Sequence, residues 1–466
     1  MRSIYSVTLI LFSVLTALAQ SHEMSALSST AGGKRVIAYF DAYNSDDESR
    51  LRSYFLDNIA TEALKQRPVE RRLEFHRQVK ADHGVVKLSR VVSVSDAQIK
   101  VVGRSAAGGT IEYTFDLSPD ADRKIVGMGI EPKEEQDGDS TLPSIPAPAT
   151  AADLPAAIEA LFDVEAKADR FSGVVLVAKD GKPMVSKAYG LADSSTNAAN
   201  RNDTKFNLGS INKMFTRIAI GQLVKQGKVS FDDKLIKILP DYPNKAAADK
   251  ITVGQLVTMT SGIGDIFNER WFAGSQWKVR HNKDYLPFFA DRPLEFEPGT
   301  RNLYSNGGYV VLGLIIEKVS GKSYYDFVRE NIFAPAGMKD TDSYEIDKLP
   351  PNTAIGYMKK GGARVPNAVA MPGRGSSAGG GYSTAGDLLK FVAALKDGKL
   401  LIPTDAGQMP TEFTGVGIAG GSEGVNGLLL SNAKTGYTVI VLSNFDPPSA
   451  ERPGLLVRDW LKQLKQ

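Results

Sequence analysis

The chain has 466 residues and a formal net charge of +3, with 56 Lys and Arg against 53 Asp and Glu and no cysteine. That length exceeds what one hydrophobic core usually fills, so two domains are expected, each large enough to fold without a staple. The balanced charge, not gathered into basic blocks interleaved with aromatics, argues against nucleic acid as a partner, and the missing cysteines remove disulfides, thiolate metal sites and cysteine nucleophiles.

The chain opens with Arg2, an apolar run from Val7 to Leu18, and Ala17-Leu18-Ala19. This pattern predicts a signal peptide over residues 1–19, cleaved after Ala19, and an exported product, periplasmic or secreted. The run is short for a membrane anchor, no lipobox cysteine is present, and no later stretch is long and apolar enough to predict a membrane span. The histidines are His22, His76, His83 and His281. None stands at a metal-ligand spacing such as H-E-x-x-H, so neither a metal nor a cofactor is expected.

Residues 21–134 read as a first domain. From Lys34 to Gly84 the pattern is helical, with Val36, Ile37, Phe40 and Tyr43 on one face, and Ser45 with Glu48 predicts a capping box for the next helix. Strands are predicted at Val85 to Val94, Gln98 to Gly103, Thr110 to Leu117 and Arg123 to Ile130. Helices followed by an antiparallel meander make this part α+β, and in element order it resembles the nuclear-transport-factor-like cone folds. Ser45-Asp46-Asp47-Glu48 reads as a helix N-terminus rather than a metal site. The segment offers no acid–base pair, which leaves small-molecule binding or oligomer formation through this N-terminal domain as roles to test.

Residues 135–152, rich in Glu, Asp, Ser, Pro and Ala, predict a linker. The second domain, 153–466, begins with a helix from Pro155 to Ala168 and a hairpin of Gly173 to Ala178 and Met184 to Tyr189 turning at Asp180-Gly181. It ends with strands near Val416, Leu428 and Val439 and a helix from Leu455 to Leu464. Strands at both ends with helices inserted between them predict one antiparallel sheet assembled from distant segments, again α+β.

Within this domain Phe206-Asn207-Leu208-Gly209-Ser210-Ile211-Asn212-Lys213 enters an amphipathic helix that continues through Ile218, Ile220 and Leu223. A Ser and a Lys one helical turn apart face the same way, and a partly desolvated amine there can lose its proton near neutral pH and serve the hydroxyl as a base. Ser-x-x-Lys recurs at Ser275 to Lys278 and Ser431 to Lys434, and only Ser210 opens a buried helix. A second segment, Tyr304-Ser305-Asn306, precedes the apolar helix Val310 to Val319. Its phenol can relay protons if a nearby cation lowers its pKa, and its amide can hold a substrate. Tyr242-Pro243-Asn244 reads as a turn.

On these residues the chain resembles the serine β-lactamase and penicillin-binding-protein superfamily, with its class C enzymes, D,D-carboxypeptidases and esterases, across residues 153–466. Leu256 to Gly264, Phe296 to Met338 and Ala378 to Leu389 carry the likeness further. The resemblance implies Ser210 as nucleophile, Lys213 as its base, Tyr304 as proton shuttle, Asn306 as a substrate-binding amide, and an oxyanion hole from the backbone N–H groups of Ser210 and Gly421. The family's third motif, Lys or His followed by any residue and Gly, falls on Ile418-Ala419-Gly420. Lys434-Thr435-Gly436 matches the letters, but it is placed in the following hairpin. The missing cation argues against efficient β-lactam or C-terminal carboxylate recognition and for an uncharged ester or amide. Met259, where many relatives carry His, reads as packing behind the site.

The expected function is therefore an exported serine hydrolase working through a Ser210 acyl-enzyme on a small ester, amide or peptide. A catalytically impaired binding protein of the same fold, a D-amino-acid peptidase or a weak β-lactamase stand as alternatives. G-x-S-x-G matches at Gly375 to Gly379 and Gly420 to Gly424 do not make an α/β-hydrolase, because no histidine follows His281 to serve Ser377 or Ser422. The first match reads instead as a glycine-rich loop near the cleft.

Overall fold

The computed structural model describes residues 27–45, 47–66, 68–106, 110–133, 145–274, 276–360, 363–404 and 408–464. The chain divides into two compact units between Leu142 and Pro143. Residues 1–19, predicted to be a signal peptide, lie outside the described residues, as do 134–144 of the expected linker region.

The helices described in the first unit include α1 (Ala31–Asn44), α2 (Glu48–Asn58), α3 (Thr61–Gln66) and α4 (Val69–His83). An antiparallel meander follows, β1 (Val86–Val94), β2 (Gln98–Ser105), β3 (Thr110–Leu117) and β4 (Ile125–Lys133). Register shifts in the β1–β2 pair and at the end of the β3–β4 pair are the irregularities that curve such a sheet. Its strands alternate as a one-faced sheet should: Ile111, Tyr113, Phe115 and Leu117 are buried against Val36, Tyr39, Phe40 and Tyr43 of α1. The cap of α2 differs from the sequence expectation. Asp47, not Ser45, is the N-cap, its carboxylate accepting from the Ser49 backbone N–H at 2.9 Å, while the Ser45 hydroxyl turns back to the Ala42 carbonyl. A carboxylate beside the positive helix end competes better for that N–H than a hydroxyl two residues earlier.

In the second unit the chain ends meet in one sheet. The helix α5 (Leu154–Lys167) leads into β5 (Gly173–Lys179) and β6 (Lys182–Tyr189), and the C-terminal segment supplies β7 (Gly415–Ser422), β8 (Val425–Asn432) and β9 (Tyr437–Ser443). The order is β7-β8-β9-β5-β6, antiparallel throughout, with Ile440 opposite Leu176 where the two ends of the sequence pair. Both faces are covered, which explains the unbroken apolar run of β5. Leu176 and Ala178 face the main core, while Leu428 and Val441 meet Gly454 of α9 (Glu451–Gln463).

Among the described residues, the three longest helices of the inserted segment are α6 (Lys213–Lys225), α7 (Asn306–Ser320) and α8 (Ala385–Lys396). Helix α7 is apolar nearly all round, with Val310, Val311, Leu312, Ile315 and Ile316 buried, as befits a helix inside a core. Thr384 caps α8 by accepting from the Asp387 N–H, and the buried Asp387 carboxylate accepts from the Asp340 N–H and the Thr341 hydroxyl. Among the described residues no helix is long and apolar enough to cross a membrane.

The entry of α9 depends on a residue far away in sequence. Asn426 of β8, fully buried, accepts from the N–H groups of Ala450 and Glu451 through Oδ1 and donates through Nδ2 to the Gly420 carbonyl. It thus caps a helix and ties down the edge strand together. Truncation by Asn426→Ala leaves these buried groups unpaired and is expected to destabilise the second unit by about 1–3 kcal/mol, read as a lower urea midpoint with an unchanged slope.

Candidate active site

Residues Phe206 and Asn207 pair with Tyr382 and Ser383, and Asn207 Oδ1 accepts from the Gly209 N–H, so the chain arrives at Ser210 already fixed. Gly209–Asn212 forms a 3₁₀ turn that runs into α6 at Lys213. The glycine-rich loop predicted near the cleft lies against this turn. The carbonyls of Ser376, Ser377 and Ala378 accept in succession from Asn212 Nδ2, Thr216 Oγ1 and Lys213 Nζ. Ser377 is itself fully buried, its hydroxyl 2.9 Å from Asn282 Oδ1 and 2.8 Å from the Tyr309 carbonyl, which suits a packing role and not a nucleophile.

Tyr304 and Asn306 are placed by the loop from Thr258 to Asp265. The Thr258 carbonyl accepts from Asn302 Nδ2, the Met259 carbonyl from the Leu303 N–H, and the Gly264 carbonyl from the Ser305 hydroxyl. Ser305 also caps α7 by accepting from the Gly308 N–H. Met259, at φ 58°, thus contributes a backbone acceptor as well as a side chain packed at the edge of the core.

Three predicted residues converge. Ser210 Oγ lies 2.5 Å from the Tyr304 hydroxyl oxygen and 3.1 Å from Lys213 Nζ. Lys213 is 3% exposed, with Nζ 2.6 Å from Asn306 Oδ1 and 4.7 Å from the centre of the Tyr304 ring. Burial pulls the Lys213 amine down to about 7, opposed by the charge of Asp265. Burial also raises the Tyr304 phenol above its usual range, with the Ser210 hydrogen bond acting the other way. The charge of Asp265 acts in the same direction as burial, so the net shift of this phenol is upward rather than the lowering by a cation that the sequence suggested.

The edge strand β7 approaches backbone to backbone. A methyl group on Gly420 would stand 2.2 Å from the Leu208 carbonyl oxygen and 2.8 Å from the Ser210 nitrogen, and one on Gly209 would stand 2.8 Å from the Gly421 nitrogen. The N–H groups of Ser210 and Gly421 therefore belong to neighbouring backbones. Ile418, two residues before Gly420 and so on the same face of the strand, is half-buried against the core and brings an alkyl group where the third motif has a cation. Lys434 stands in the β8–β9 turn, whose N–H is held by Asn432 Oδ1, away from this strand edge.

Asn306 links the lysine to an acidic residue: its Oδ1 faces Lys213, and its Nδ2 donates to both carboxylate oxygens of Asp265 at 2.9 and 3.2 Å. Asp265 is the residue that sequence reasoning missed. It also accepts from the backbone N–H groups of Asn306 and Phe267, and the only signal in the sequence was an acidic residue closing the Thr-Ser-Gly loop.

Among the described residues, the large apolar side chains left exposed in this unit include Leu303, next to Tyr304 in sequence, and Phe267, two residues beyond Asp265.

A family model described as Beta-lactamase matches residues 158–462. The chain belongs to the beta-lactamase family. Members of this beta-lactamase fold are serine hydrolases. A penicillin-binding protein of Bacillus subtilis is 34% identical over 192 residues, 40% of this chain and 41% of that protein, so the chain spans about two fifths of that relative's length. Esterase EstB of Burkholderia gladioli is 30% identical over 290 residues, 54% of this chain and 73% of the esterase. A penicillin-binding protein from Bacillus halodurans superposes with a TM-score of 0.57 at 30% identity, covering 64% of this chain and 98% of that one.

The close approach of β7 yields a direct test. Gly420→Ala forces the strand away from Ser210 and is expected to slow covalent modification of this serine by roughly 100-fold or more while the far-ultraviolet spectrum stays unchanged.

Proposed function

We propose that the protein is an exported hydrolase that forms an acyl-enzyme on Ser210 from small uncharged esters or amides. The observation that carries this reading is the position of Ser210 Oγ, within hydrogen-bond distance of both a buried amine and a phenol. In acylation Ser210 Oγ bonds to the substrate carbonyl carbon as its proton passes to Lys213 Nζ. The N–H groups of Ser210 and Gly421 receive the charge that develops on the carbonyl oxygen. The leaving group takes a proton from the Tyr304 hydroxyl, which the Lys213 ammonium then restores. Water repeats the sequence in reverse, adding to the acyl carbon and releasing the acid and free Ser210.

Two features support an uncharged substrate. Ile418 gives a carboxylate no partner on the strand beside the serine, and the exposed Leu303, next to Tyr304 in sequence, favours an apolar group there. The kinship with EstB, an esterase by name, agrees with this class. Export rests on residues 1–19, and a mature N-terminus at Gln20 is its direct check.

A fluorophosphonate probe is expected to label the wild type and not Ser210→Ala; absence of wild-type labelling would favour a binding protein that has lost its chemistry. Ester turnover is expected to rise with pH through about 7, because the Lys213 amine accepts a proton only when neutral and burial sets its pKa there. Tyr304 keeps its proton at neutral pH, its phenol being held above the usual value, so no falling limb is expected until alkaline pH.

A further inference from the structure

We infer that Asp265 is a positioning residue that fixes the direction of proton transfer from Ser210 to Lys213 by locking the Asn306 amide. The inference rests on the reading of Lys213 as proton acceptor and adds what makes its lone pair available.

A neutral amine has two N–H groups and one lone pair. Lys213 Nζ has three neighbours: Asn306 Oδ1 at 2.6 Å, the Ala378 carbonyl, and Ser210 Oγ at 3.1 Å. The first two are oxygens that only accept, so they take both N–H groups, and the lone pair is left facing the serine hydroxyl. This holds only while Asn306 keeps its oxygen toward Lys213. Rotation of the amide by half a turn would bring Nδ2 against Nζ, and its N–H would compete with Ser210 for the lone pair.

Asp265 forbids that rotation. An ionised carboxylate has no donor, and here both of its oxygens receive Asn306 Nδ2. Turning the amide would set Asn306 Oδ1 against these oxygens, exchanging two charge-assisted hydrogen bonds for repulsion. The carboxylate is itself held by the N–H groups of Asn306 and Phe267, so it cannot follow the amide round. Asp265 also acts through space. It is the charged group that raises the proton affinity of Lys213 against the lowering by burial. The other titratable groups facing this amine are the phenols of Tyr304 and Tyr309. On the helical turn Arg329–Phe333, which packs against α6, Arg329 pairs with Asp326 and Asp342, and Glu330 with Lys322.

The test uses the full chain carrying lysine labelled with carbon-13 at Cε, the Lys213 resonance being assigned by its loss in Lys213→Arg. Asp265→Asn keeps the size of the side chain but removes its charge and makes it able to donate. The Lys213 midpoint is expected to fall below its wild-type value, whereas Asp265→Glu should restore it in part. For ester turnover, the rising limb of kcat/KM should move to lower pH in Asp265→Asn, and its plateau should drop roughly tenfold or more, with thermal unfolding little changed. In an Asn306→Ala background, Asp265→Asn should cost the plateau little more, since there is no amide left to lock. An unmoved Lys213 midpoint overturns the inference, as does a plateau loss that persists unchanged without Asn306. Failure of the wild type to take up fluorophosphonate would count against the hydrolase reading instead, because the resonance titration needs no turnover.

Discussion

The site is organised around one costly act, the burial of an amine. A lysine side chain removed from water cannot keep its charge cheaply, and it either finds a carboxylate in direct contact or loses its proton. Here the carboxylate stands one residue away, behind an amide. Lys213 therefore has polar neighbours for both N–H groups, and burial brings its pKa down to about 7, so that a neutral amine is accessible near physiological pH. Asn306 conveys the orientation of Asp265 without conveying a full ion pair, which would have kept the amine protonated and useless as a base. The opposing effects of burial and of Asp265 leave its proton affinity between those of a surface lysine and of an isolated buried one.

Such a balance needs walls that do not move, and they come from parts of the chain remote in sequence. The loop Thr258–Asp265 carries the Tyr304 segment by backbone carbonyls, the loop from Gly375 to Gly381 receives three side chains of the first turns leading into α6, and β7 closes the third side. Strand β7 is in turn held by Asn426, which belongs to the C-terminal end of the sheet. The two ends of the domain pair with each other through β9 and β5, so the geometry at Ser210 depends on closure of the whole sheet. A binding loop on a surface could tolerate slack in these connections; an oxygen 2.5 Å from another cannot.

Much of this was legible in the sequence because it is local. A serine one turn before a lysine at the mouth of an apolar helix, and a tyrosine just ahead of a second one, are patterns with a period, and the sheet built from both chain ends followed from where the strands fall. What escaped was non-local or a matter of competition between neighbours. Asp265 reaches Asn306 across 41 positions, and no spacing rule connects an acidic loop residue to an amide in another segment. The reading of Asn306 as a substrate-binding amide accordingly left out its bond to this carboxylate. The cap at Asp47 was missed for a different reason: Ser45 and Asp47 both satisfy the pattern, and only the path of the chain decides which one faces the helix end.

The absence of a cation at position 418 takes on a definite meaning in this light. Had the proton affinity of Lys213 or Tyr304 depended on a neighbouring positive charge, Ile418 would have dismantled the chemistry. The causes acting on the two groups are burial, Asp265 and the Ser210 hydrogen bond, all independent of β7 side chains. The strand contributes its backbone at Gly420 and Gly421, and that contribution survives any side chain at 418 that leaves the strand in place. The exchange of a cation for isoleucine thus bears on what enters the cleft more than on what happens to it there. Together with the exposed Leu303 beside Tyr304, it agrees with the uncharged substrate class proposed for this site.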